Sequence, residues 1–548
     1  MTNWMQHLPI LPVVIPLICG ALMLVVRDSN RRGRLTLGFV SILAQLAVAI
    51  TLLCLSAGYL PNEWPDGVGV YLLGDWPAPF GIVAVVDRLA VVMLVLTAIL
   101  GLSAWIYATA RWDRAGVHFH PLFQFLLMGL NGAFLTGDLF NLFVFFEVLL
   151  AASYGLAMHG SGRARVTAGL HYVAVNLVAS FLLLIAMAMI YGVTGSLNMA
   201  DLAARAGELG GPDRRLFEAG AAILGIAFLI KAAAWPLNFW LPATYSNACA
   251  PVAAVFMIMT KVGVYAMLRI GSLLLPTGAP AAFGGEWMFP LGIATLGFGI
   301  VGLIAAPQPE RQASYCAIMS SGTLFAALGM PGVSLTGPAL FYLVTSVLAL
   351  GAFFLLLEMI ERTQAFGADL LAVSLEAFDL EDPESPDSSD DIVGVAIPAA
   401  MAFLGLSFVA CALLIAGLPP MSGFVAKFTL LSAALQTTDS GPGMGTWLLL
   451  GFVIFSGLAC IIALGRTGIR LFWSVEDTVV PRLRLSEAGP VSLLIMVTIA
   501  MSVWAGPVMH YLDQTADYLG TPSQYINAVL TQNPGRDVAP IETLEVRP

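Results

Sequence analysis

Long apolar runs alternate with short polar connections along almost the whole chain. A run of roughly 18–28 residues, as a helix, is long enough to cross a hydrocarbon core about 30 Å thick. The pattern therefore predicts an all-α polytopic membrane protein. It places 14 membrane-spanning helices at residues 8–26, 35–58, 82–110, 119–136, 138–158, 166–192, 217–241, 248–271, 288–306, 313–331, 336–360, 394–436, 446–472 and 488–512.

Proline residues interrupt two of these predicted helices. Pro236 lies inside the seventh, and Pro419 and Pro420 lie inside the twelfth. The twelfth run, 394–436, would extend for about 65 Å as one straight helix, which is twice the thickness of a membrane. Because proline removes a backbone donor and clashes with the preceding turn, we interpret both runs as broken helices. Paired broken helices are typical of transporters, where they mark the ion path.

The two breaks also predict an internal repeat. They lie five helices apart, and an odd offset gives the two copies opposite orientations in the membrane. We therefore expect inverted five-helix repeats formed by helices 4–8 and 9–13. The corresponding domains are N-terminal flanking helices at 1–112, a first repeat at 113–271, a second repeat at 288–472, and a last helix with its tail at 488–548.

The arginines predict which helix ends face the cytoplasm, because cytoplasmic loops are enriched in basic residues. The first connection carries four arginines between 27 and 34, whereas the next, 61–80, carries none. Further arginines fall on the same predicted side, at 111–114, 163–165, 311 and 466–484. Both termini are then outside. Arg205, Arg214 and Arg215 depart from this pattern, and we interpret their segment as a short interfacial helix on the outer side.

The composition agrees with a membrane protein and argues against other classes. The chain is 59% hydrophobic and 11% charged, whereas soluble domains contain about 25% charged residues. Its net charge of −10 argues against nucleic acid as a partner. The six cysteines are scattered and form no CxxC pair, so we interpret them as small buried residues. No metal or other cofactor is therefore expected.

Residues 376–391 form an acidic segment within the second predicted repeat. The segment contains eight acids and no base. High charge and low hydrophobicity are typical of a solvated, disordered loop, here on the cytoplasmic side. The alternative is a patch that attracts cations or docks a partner.

All three lysines of the chain, Lys231, Lys261 and Lys427, lie inside apolar runs. The other 21 basic residues (24 minus 3) are arginines, mostly at the ends of runs. An ammonium at the centre of a membrane helix costs about 2.5–3.5 kcal/mol, so it is retained there for a function or a partner. A buried lysine, unlike an arginine, can also release its proton. The pattern therefore predicts a proton path.

Glu147 is the expected first member of that path. It lies about three turns into the fifth run, GDLFNLFVFFEVLLAASYGL, where an isolated carboxylate would become neutral. Pairing with the ammonium of Lys231 would keep both groups close to the balance between their protonated and deprotonated forms, where they can exchange protons. A static structural ion pair is the alternative, but two further buried lysines favour proton transfer.

A few other polar residues in the apolar runs are candidates for auxiliary roles. Asp138, at the start of the fifth run, either caps the helix or joins the path. His171 and Asn176 are expected to form interhelical hydrogen bonds. Glu358, near the cytoplasmic end of the eleventh run, faces either a half-channel or the lipid headgroups.

Four motifs, GDLFNLFVFFE, KAAAWPLNFWLPATYSNACAPVAA, MTKVGVYAMLR and GLPPMSGFVAK, contain the candidate path residues. In combination they resemble the antiporter-like subunits shared by respiratory complex I and the multisubunit Mrp (or Pha) cation/proton antiporters. The resemblance covers the fourth to the thirteenth predicted helix and is greatest to the D-type subunits of the antiporters.

The resemblance implies 14 core helices with inverted repeats and broken seventh and twelfth helices. It implies that Glu147, Lys231, Lys261 and Lys427 occupy the family's proton-path positions. It also implies that the chain works only in a hetero-oligomer of membrane subunits. The implied activity is exchange of Na⁺ or K⁺ for protons across a bacterial cytoplasmic membrane, by a transporter rather than an enzyme and without a cofactor.

Two other functions stay open at this point. One is a proton-pumping module of complex I or a membrane-bound hydrogenase, which neighbouring genes for iron–sulfur subunits would favour. The other is a structural membrane scaffold, against which the three buried lysines argue. The chain also departs from the family pattern near Ser320 and Thr345, where relatives often carry histidines. We therefore expect water or hydroxyls to connect the two halves of the path.

Deleting residues 378–390 is expected to leave cation/proton exchange largely intact, because so acidic a segment cannot bury a core. Exchange by membrane vesicles that contain the assembled complex measures this. A deletion variant that assembles but no longer exchanges ions would show instead that the segment has a function.

Overall fold

A computed structural model describes residues 3–26, 30–61, 64–116, 118–274, 287–331, 333–377, 399–436, 442–472 and 483–531. Within these ranges the chain forms α-helices and one two-stranded sheet. The α-helices are α1 (Leu11–Val25), α2 (Arg31–Ser56), α3 (Arg88–Ala108), α4 (Phe119–Leu135), α5 (Leu139–Ala157), α6 (Arg163–Thr194), α7 (Met199–Ala206), α8 (Gly211–Lys231), α9 (Leu241–Asn247), α10 (Ala250–Leu274), α11 (Met288–Ala305), α12 (Pro309–Leu328), α13 (Thr336–Ala377), α14 (Ala399–Ala416), α15 (Ser422–Leu435), α16 (Met444–Phe472), α17 (Leu485–Val503), α18 (Ala505–Leu519) and α19 (Pro522–Leu530). The strands are β1 (Gly69–Leu72) and β2 (Val83–Val86). Short 3-10 helices occupy Asn3–Ile10, Pro65–Gly67, Leu73–Asp75 and Trp112–Arg114.

The described part of the chain is that of a multi-pass membrane protein. It contains 11 helices that are long and apolar enough to cross a bilayer. Two shorter apolar helices, α4 and α15, accompany them. A helix occupies the middle of every run predicted to span the membrane, but the number of 14 spans and the inverted repeats stay predictions. The acidic segment beyond residue 377 and the tail after residue 531 lie outside the described residues.

Three predicted helices are wrong at one end, and one of them, expected at 336–360, continues to Ala377 as α13. Residues 83–86 form strand β2, which pairs antiparallel with β1, so the helix expected from residue 82 begins only at Arg88. The valine-rich run favours a strand, and the Asp87 side chain caps α3 by accepting a hydrogen bond from the Ala90 amide at 2.9 Å. The last predicted helix, 488–512, ends at Val503, and a separate helix, α18, follows it.

Both predicted interruptions are present. Helix α8 ends at Lys231, and nine irregular or turn residues separate it from α9. Helix α14 ends at Ala416, and α15 begins at Ser422. At the second interruption Gly417 adopts φ of +79°, a conformation that glycine reaches without a steric penalty. Each interruption leaves the last carbonyls of a helix without their usual amide partners.

Helices α3, α10 and α13 form the centre of the bundle. Most of the membrane-length stretch is buried in each, 83% in α3, 89% in α10 and 83% in α13. In contrast, only 33–39% of the corresponding stretch is buried in α1, α2, α6, α14 and α17. The peripheral helices expose large apolar side chains, such as Leu406 and Val301. These outer faces suit contact with lipid or with other membrane subunits.

The arginines predicted to share one side do lie together at one end of the bundle. Contacts at this end join Arg31 to Asp113, Arg165 to the Asn247 carbonyl, Arg484 to the Ala110 carbonyl, and Arg362 to Glu487. Burial acts to raise the pKa of the Asp113 carboxyl. Hydrogen bonds from His120 and Arg31 outweigh burial and hold this pKa below its ordinary value. The grouping of arginines agrees with the predicted orientation, which itself stays a prediction.

Glycines allow helices α11 and α12 to approach each other closely. A Cβ atom on Gly292 would lie 2.1 Å from the backbone nitrogen of Ala326, and one on Gly322 would lie 2.4 Å from that of Leu296. Real atoms do not approach so closely, so neither position accepts a side chain without separating the helices. Small residues at helix–helix interfaces are a common way of packing helices in membranes.

Replacing Gly292 by alanine is expected to destabilise the folded chain by about 1–3 kcal/mol, because the added methyl group forces the two backbones apart. The melting temperature of the purified complex in detergent measures this. The matched control is Gly451→Ala in α16, where nothing lies within 4 Å of the added atom. The control should not lower the melting temperature, since alanine favours a helix over glycine. Equal melting temperatures for both variants would contradict the expected close approach.

Candidate functional site

Glu147 lies in the middle of α5, with Ser180 of α6 as its partner. The Ser180 hydroxyl donates a hydrogen bond to Oε1 of the half-buried Glu147 carboxylate. Helix α5 is otherwise apolar along most of this stretch, and a buried polar group needs such a partner. Serine can both donate and accept hydrogen bonds, so it can contact the carboxyl group in either protonation state.

Lys231 is the last residue of α8 and is 7% exposed. Its Nζ atom lies 4.8 Å from the centre of the Phe146 ring, which is a cation–π distance. Phe146 directly precedes Glu147, so the ammonium reaches the same turn of α5. However, the carboxylate and the ammonium form no ion pair within 4 Å in the described structure, so Glu147 interacts with Lys231 electrostatically and without direct contact. Ser180 contacts the carboxylate instead, and the lysine lies over the aromatic ring.

A small cavity with a mixed polar and apolar lining adjoins Lys231. Its volume of about 20 Å³ exceeds the roughly 10–15 Å³ that one water molecule needs. Its lining includes Lys231, Tyr172, Asn176, Trp240 and Thr260. Among the described residues no hydrogen-bond partner contacts Lys231 Nζ. Apolar side chains such as Phe146, Leu149 and Met259 complete the lining, and the volume alone is enough for one water molecule.

Lys261 is fully buried in the central helix α10. Its ammonium donates a hydrogen bond to the hydroxyl of Ser321 on α12 at 3.1 Å. Two residues later, Gly263 allows the end of α8 to approach α10, because a Cβ atom there would lie 2.7 Å from the Phe228 carbonyl oxygen. The position of Lys261 therefore depends on close packing against the interruption that follows Lys231.

Lys427 lies in α15 and contacts the end of α14 across the second interruption. Its ammonium donates hydrogen bonds to the carbonyl oxygen of Ala416 at 3.0 Å and to the hydroxyl of Ser456 at 3.3 Å. Ala416 is the last residue of α14, where unpaired carbonyls give the helix end a partial negative charge. The interruption between α14 and α15 thus provides the acceptor that stabilises a positive charge on Lys427.

The auxiliary candidates lie away from this group. The Asp138 carboxylate caps α5 through the Asn141 amide at 2.9 Å, so the capping role is confirmed. His171 is exposed on α6, and the Asn176 side chain donates to the Tyr172 carbonyl of its own helix. The interhelical hydrogen bonds expected for them are therefore not formed within the described chain.

Glu358 joins the arginine-rich end of the bundle. Its carboxylate accepts a hydrogen bond from the Trp112 indole at 2.7 Å and lies 3.7 Å from Arg111 and 3.8 Å from Arg362. The side chain is 11% exposed. These contacts fit both expected settings, a half-channel and the headgroup region. A path role for Glu358 therefore stays a prediction.

A buried ion pair at the opposite end of the bundle was missed in the sequence. Arg269 of α10 contacts Asp87 at 2.5 Å, and the side chains are 4% and 1% exposed. The ring of Tyr525 lies 5.1 Å from the guanidinium. No local pattern could reveal this pair, since its members are 182 residues apart. It joins the start of α3 to the end of α10.

Comparisons with known proteins cover most of the chain. The profile of the family described as "NADH:quinone oxidoreductase/Mrp antiporter, TM" matches residues 136–458. A probable K⁺/H⁺ antiporter D-type subunit from Rhizobium meliloti (strain 1021) is 50% identical over 543 residues, 97% of this chain and 99% of that one. A Na⁺/H⁺ antiporter D-type subunit from Alkalihalophilus pseudofirmus is 32% identical over 534 residues, 96% of this chain and 100% of that one.

Solved structures share the fold. A chain of the Mrp complex from Dietzia sp. DQ12-45-1b has a TM-score of 0.79 and 28% identity, covering 97% of this chain and 100% of that one. A chain of respiratory complex I from Thermus thermophilus has a TM-score of 0.70 and 21% identity, covering 94% and 99%. At 21% identity, the structural similarity to the complex I chain shows a shared fold alone.

Replacing Arg269 by methionine is expected to destabilise the chain by about 3–5 kcal/mol, because it leaves the buried Asp87 carboxylate uncompensated. The double variant Asp87→Asn/Arg269→Met should recover much of this loss while keeping an N-cap acceptor on α3. Thermal unfolding of the complex in detergent measures both. The control is Arg214→Ala, which removes a partly exposed pair with Glu218 and should cost at most about 1 kcal/mol. A double variant no more stable than Arg269→Met would contradict the ion pair.

Proposed function

The chain belongs to the NADH:quinone oxidoreductase/Mrp antiporter family, and from this premise we propose that it is the proton-translocating subunit of a multisubunit antiporter. The resemblance read from its motifs is confirmed by the family profile and by relatives named as D-type subunits of K⁺/H⁺ and Na⁺/H⁺ antiporters. In this proposal protons pass through Glu147, Lys231, Lys261 and Lys427, and their movement drives the efflux of Na⁺ or K⁺.

The observation that carries the proposal is the burial of every lysine of the chain inside the helical bundle. Lys231, Lys261 and Lys427 are 7%, 0% and 9% exposed, respectively. None of the three forms an ion pair with an acid among the described residues. A carboxylate partner would hold a lysine in its charged form, whereas a carrier of protons has to exist in both charged and neutral forms.

Each proposed carrier has a neighbour that suits proton exchange. Glu147 has the Ser180 hydroxyl, Lys231 adjoins the small cavity, and Lys261 contacts the Ser321 hydroxyl. Lys427 lies at the negative end of α14. A charge on one carrier disfavours a like charge on the next, so a proton that arrives at one position promotes release from another.

The partners in this proposal are the other subunits of the antiporter, together with the lipid bilayer. Two large apolar side chains at the first interruption, Trp235 and Phe239, are 44% and 64% exposed. Such faces suit contact with further membrane helices. The alternative of a pump module driven by electron transfer has less support, because the relatives at 50% and 32% identity are named as antiporter subunits, whereas the complex I chain is 21% identical.

Glu147→Ala and Lys231→Ala are each expected to abolish cation/proton exchange while the complex still assembles, because each removes a carrier that no neighbouring ionisable group replaces. Dequenching of a pH-sensitive dye in vesicles, normalised to the amount of complex, measures exchange. The control Glu218→Ala removes an acid from the half-exposed start of α8 and should exchange normally. Near-normal exchange in both Glu147→Ala and Lys231→Ala would contradict the proposal.

Lys427 provides a separate test of proton release. Lys427→Arg should be inactive, because a guanidinium keeps its proton at any working pH. Lys427→Glu should retain partial exchange with a pH optimum shifted downwards, because a carboxyl group titrates in water near pH 4.3 rather than near 10.4. A structural cation bonded to the Ala416 carbonyl would give the opposite order, in which arginine is tolerated and glutamate is not. Exchange measured against pH for both variants decides between the two roles.

A further inference from the structure

The lysines at the two interruptions have different surroundings. At the second interruption, Lys427 donates a hydrogen bond to the carbonyl oxygen of Ala416, the last residue of α14. At the first, Lys231 is itself the last residue of α8, yet no hydrogen-bond partner contacts its ammonium among the described residues. A lysine in the last turn of a helix is well placed to bond the last carbonyls of that helix. Something at the end of α8 therefore keeps these carbonyls from Lys231.

The backbone that follows α8 folds back onto the last carbonyls of the helix. Its amides donate to these carbonyls, Ala232 to Phe228 at 2.8 Å, Ala234 to Leu229 at 3.0 Å and Ala233 to Ile230 at 3.1 Å. A carbonyl oxygen has two lone pairs, so each can accept one further hydrogen bond. Helix α10 covers the first of them, because a Cβ atom on Gly263 would lie 2.7 Å from the Phe228 oxygen. The backbone amides alone thus leave acceptor capacity at the end of α8.

Trp240 occupies the second lone pair of the Ile230 carbonyl. Its indole nitrogen donates to this oxygen at 3.2 Å. Trp240 and Lys231 line the same small cavity, so the indole and the ammonium compete for the same region of the helix end. The ammonium lies instead over the ring of Phe146, with its Nζ atom 4.8 Å from the ring centre. Attraction to an aromatic face is in general weaker than a hydrogen bond from a charged donor.

Aromatic neighbours fix the orientation of the indole. The ring of Trp240 lies 5.3 Å from that of Tyr172 on α6 and 6.1 Å from that of Tyr245 on α9. The Tyr172 hydroxyl bonds to the Ser153 hydroxyl of α5 at 2.8 Å, and the Tyr245 hydroxyl donates to the Phe256 carbonyl of α10 at 2.6 Å. Four helices thus hold the indole against the end of α8.

From these contacts we propose that Trp240 is a positioning residue, which withholds the Ile230 carbonyl from Lys231 and so leaves the lysine able to release its proton. The inference rests on the proposed function, in which Lys231 carries protons. It goes beyond that function by assigning control over the pH range of proton release to a neutral residue outside the series of carriers. Trp240 itself neither accepts nor donates a transported proton in this role.

The effect follows from which form of lysine a carbonyl stabilises. A hydrogen bond to the charged form of a group favours that form. A free Ile230 carbonyl would bond the ammonium of Lys231, as the Ala416 carbonyl bonds that of Lys427. Because the indole occupies the oxygen, the ammonium lacks this stabilisation, and less alkaline conditions suffice for the neutral amine to form.

Titratable groups face Lys231 from each helix packed around the end of α8. Glu147 of α5 interacts with the ammonium electrostatically. Tyr172 of α6 and Tyr245 of α9 line the small cavity, and Lys261 of α10 lies between two residues that line it. A conservative change at position 240 removes none of these groups. A change in the pH dependence of exchange therefore reports on the Ile230 carbonyl.

Trp240→Phe removes the indole N–H group and keeps an aromatic ring. The freed carbonyl should then accept a hydrogen bond from Lys231. The acidic limb of the exchange rate, where exchange rises with pH, should move upwards by about one pH unit, the effect of one hydrogen bond to a charged group. Exchange by vesicles that contain the assembled complex, measured over a range of pH, tests this. A tryptophan with a packing role alone would lower the rate equally at every pH and leave the limb in place.

A second variant keeps the shape of the side chain. In the tryptophan analogue benzothienylalanine a sulfur atom replaces the indole N–H group, so incorporation at position 240 removes the donor and retains the packing on Tyr172 and Tyr245. The analogue should move the acidic limb upwards as Trp240→Phe does, and it decides the question if Trp240→Phe does not assemble. An acidic limb that stays in place or moves downwards with this analogue overturns the positioning role.

Trp447→Phe is the matched control. It removes an indole N–H group from a side chain that is 54% exposed on α16. The acidic limb should stay in place in this variant. A shift as large as that of Trp240→Phe would show that the effect does not depend on the bond to the Ile230 carbonyl, and the positioning role would be wrong.

The same measurements separate failure of the positioning role from failure of the proposed function. If Lys231→Ala abolishes exchange while both changes at position 240 leave the acidic limb in place, the positioning role is wrong and the proposed function stands. If Lys231→Ala exchanges normally, the proposed function is wrong and the positioning role falls with it.

Discussion

The strongest constraint on this fold is the cost of holding ammonium groups inside a membrane. A positive charge there needs nearby groups that accept hydrogen bonds or carry a negative potential. The chain meets this need in three ways: an aromatic face beside Lys231, a serine hydroxyl beside Lys261 and a helix end beside Lys427. None of these neighbours is an ionised acid. Each can therefore stabilise the charged form of the amine without binding it as firmly as a carboxylate would.

The interruptions of α8–α9 and α14–α15 follow from the same constraint. An unbroken helix satisfies its own carbonyls and offers none to a side chain, whereas an interrupted one exposes its last carbonyls inside the bundle. Lys427 uses this directly through the Ala416 carbonyl. At the first interruption the Trp240 indole donates to the Ile230 carbonyl at 3.2 Å, and the Thr295 hydroxyl accepts from the Trp235 amide at 3.0 Å. The irregular backbone is thus satisfied by protein groups, as the absence of water in a hydrocarbon core requires.

The sequence predicted the helices and their interruptions well, because membrane thickness sets the length of each apolar run and proline marks each break. It also singled out the four ionisable residues that are proposed as carriers, since charges inside apolar runs are conspicuous. It failed where the answer depends on which helices are neighbours. Ser180, Ser321 and Ser456 look like ordinary helix residues until the fold brings them to Glu147, Lys261 and Lys427. The strand Val83–Val86 was missed because a short apolar run next to a helix has no separating polar signal.

The glycine contact between α11 and α12 limits how the protein can move. With no side chains between their backbones at Gly292 and Gly322, the two helices interlock and cannot slide along each other without a clash. We therefore expect the two helices to move as one rigid body that keeps the polar groups of α12 in place relative to α11. Any change of access during a transport cycle has to come from side-chain rotation along this fixed pair or from displacement of other helices against it.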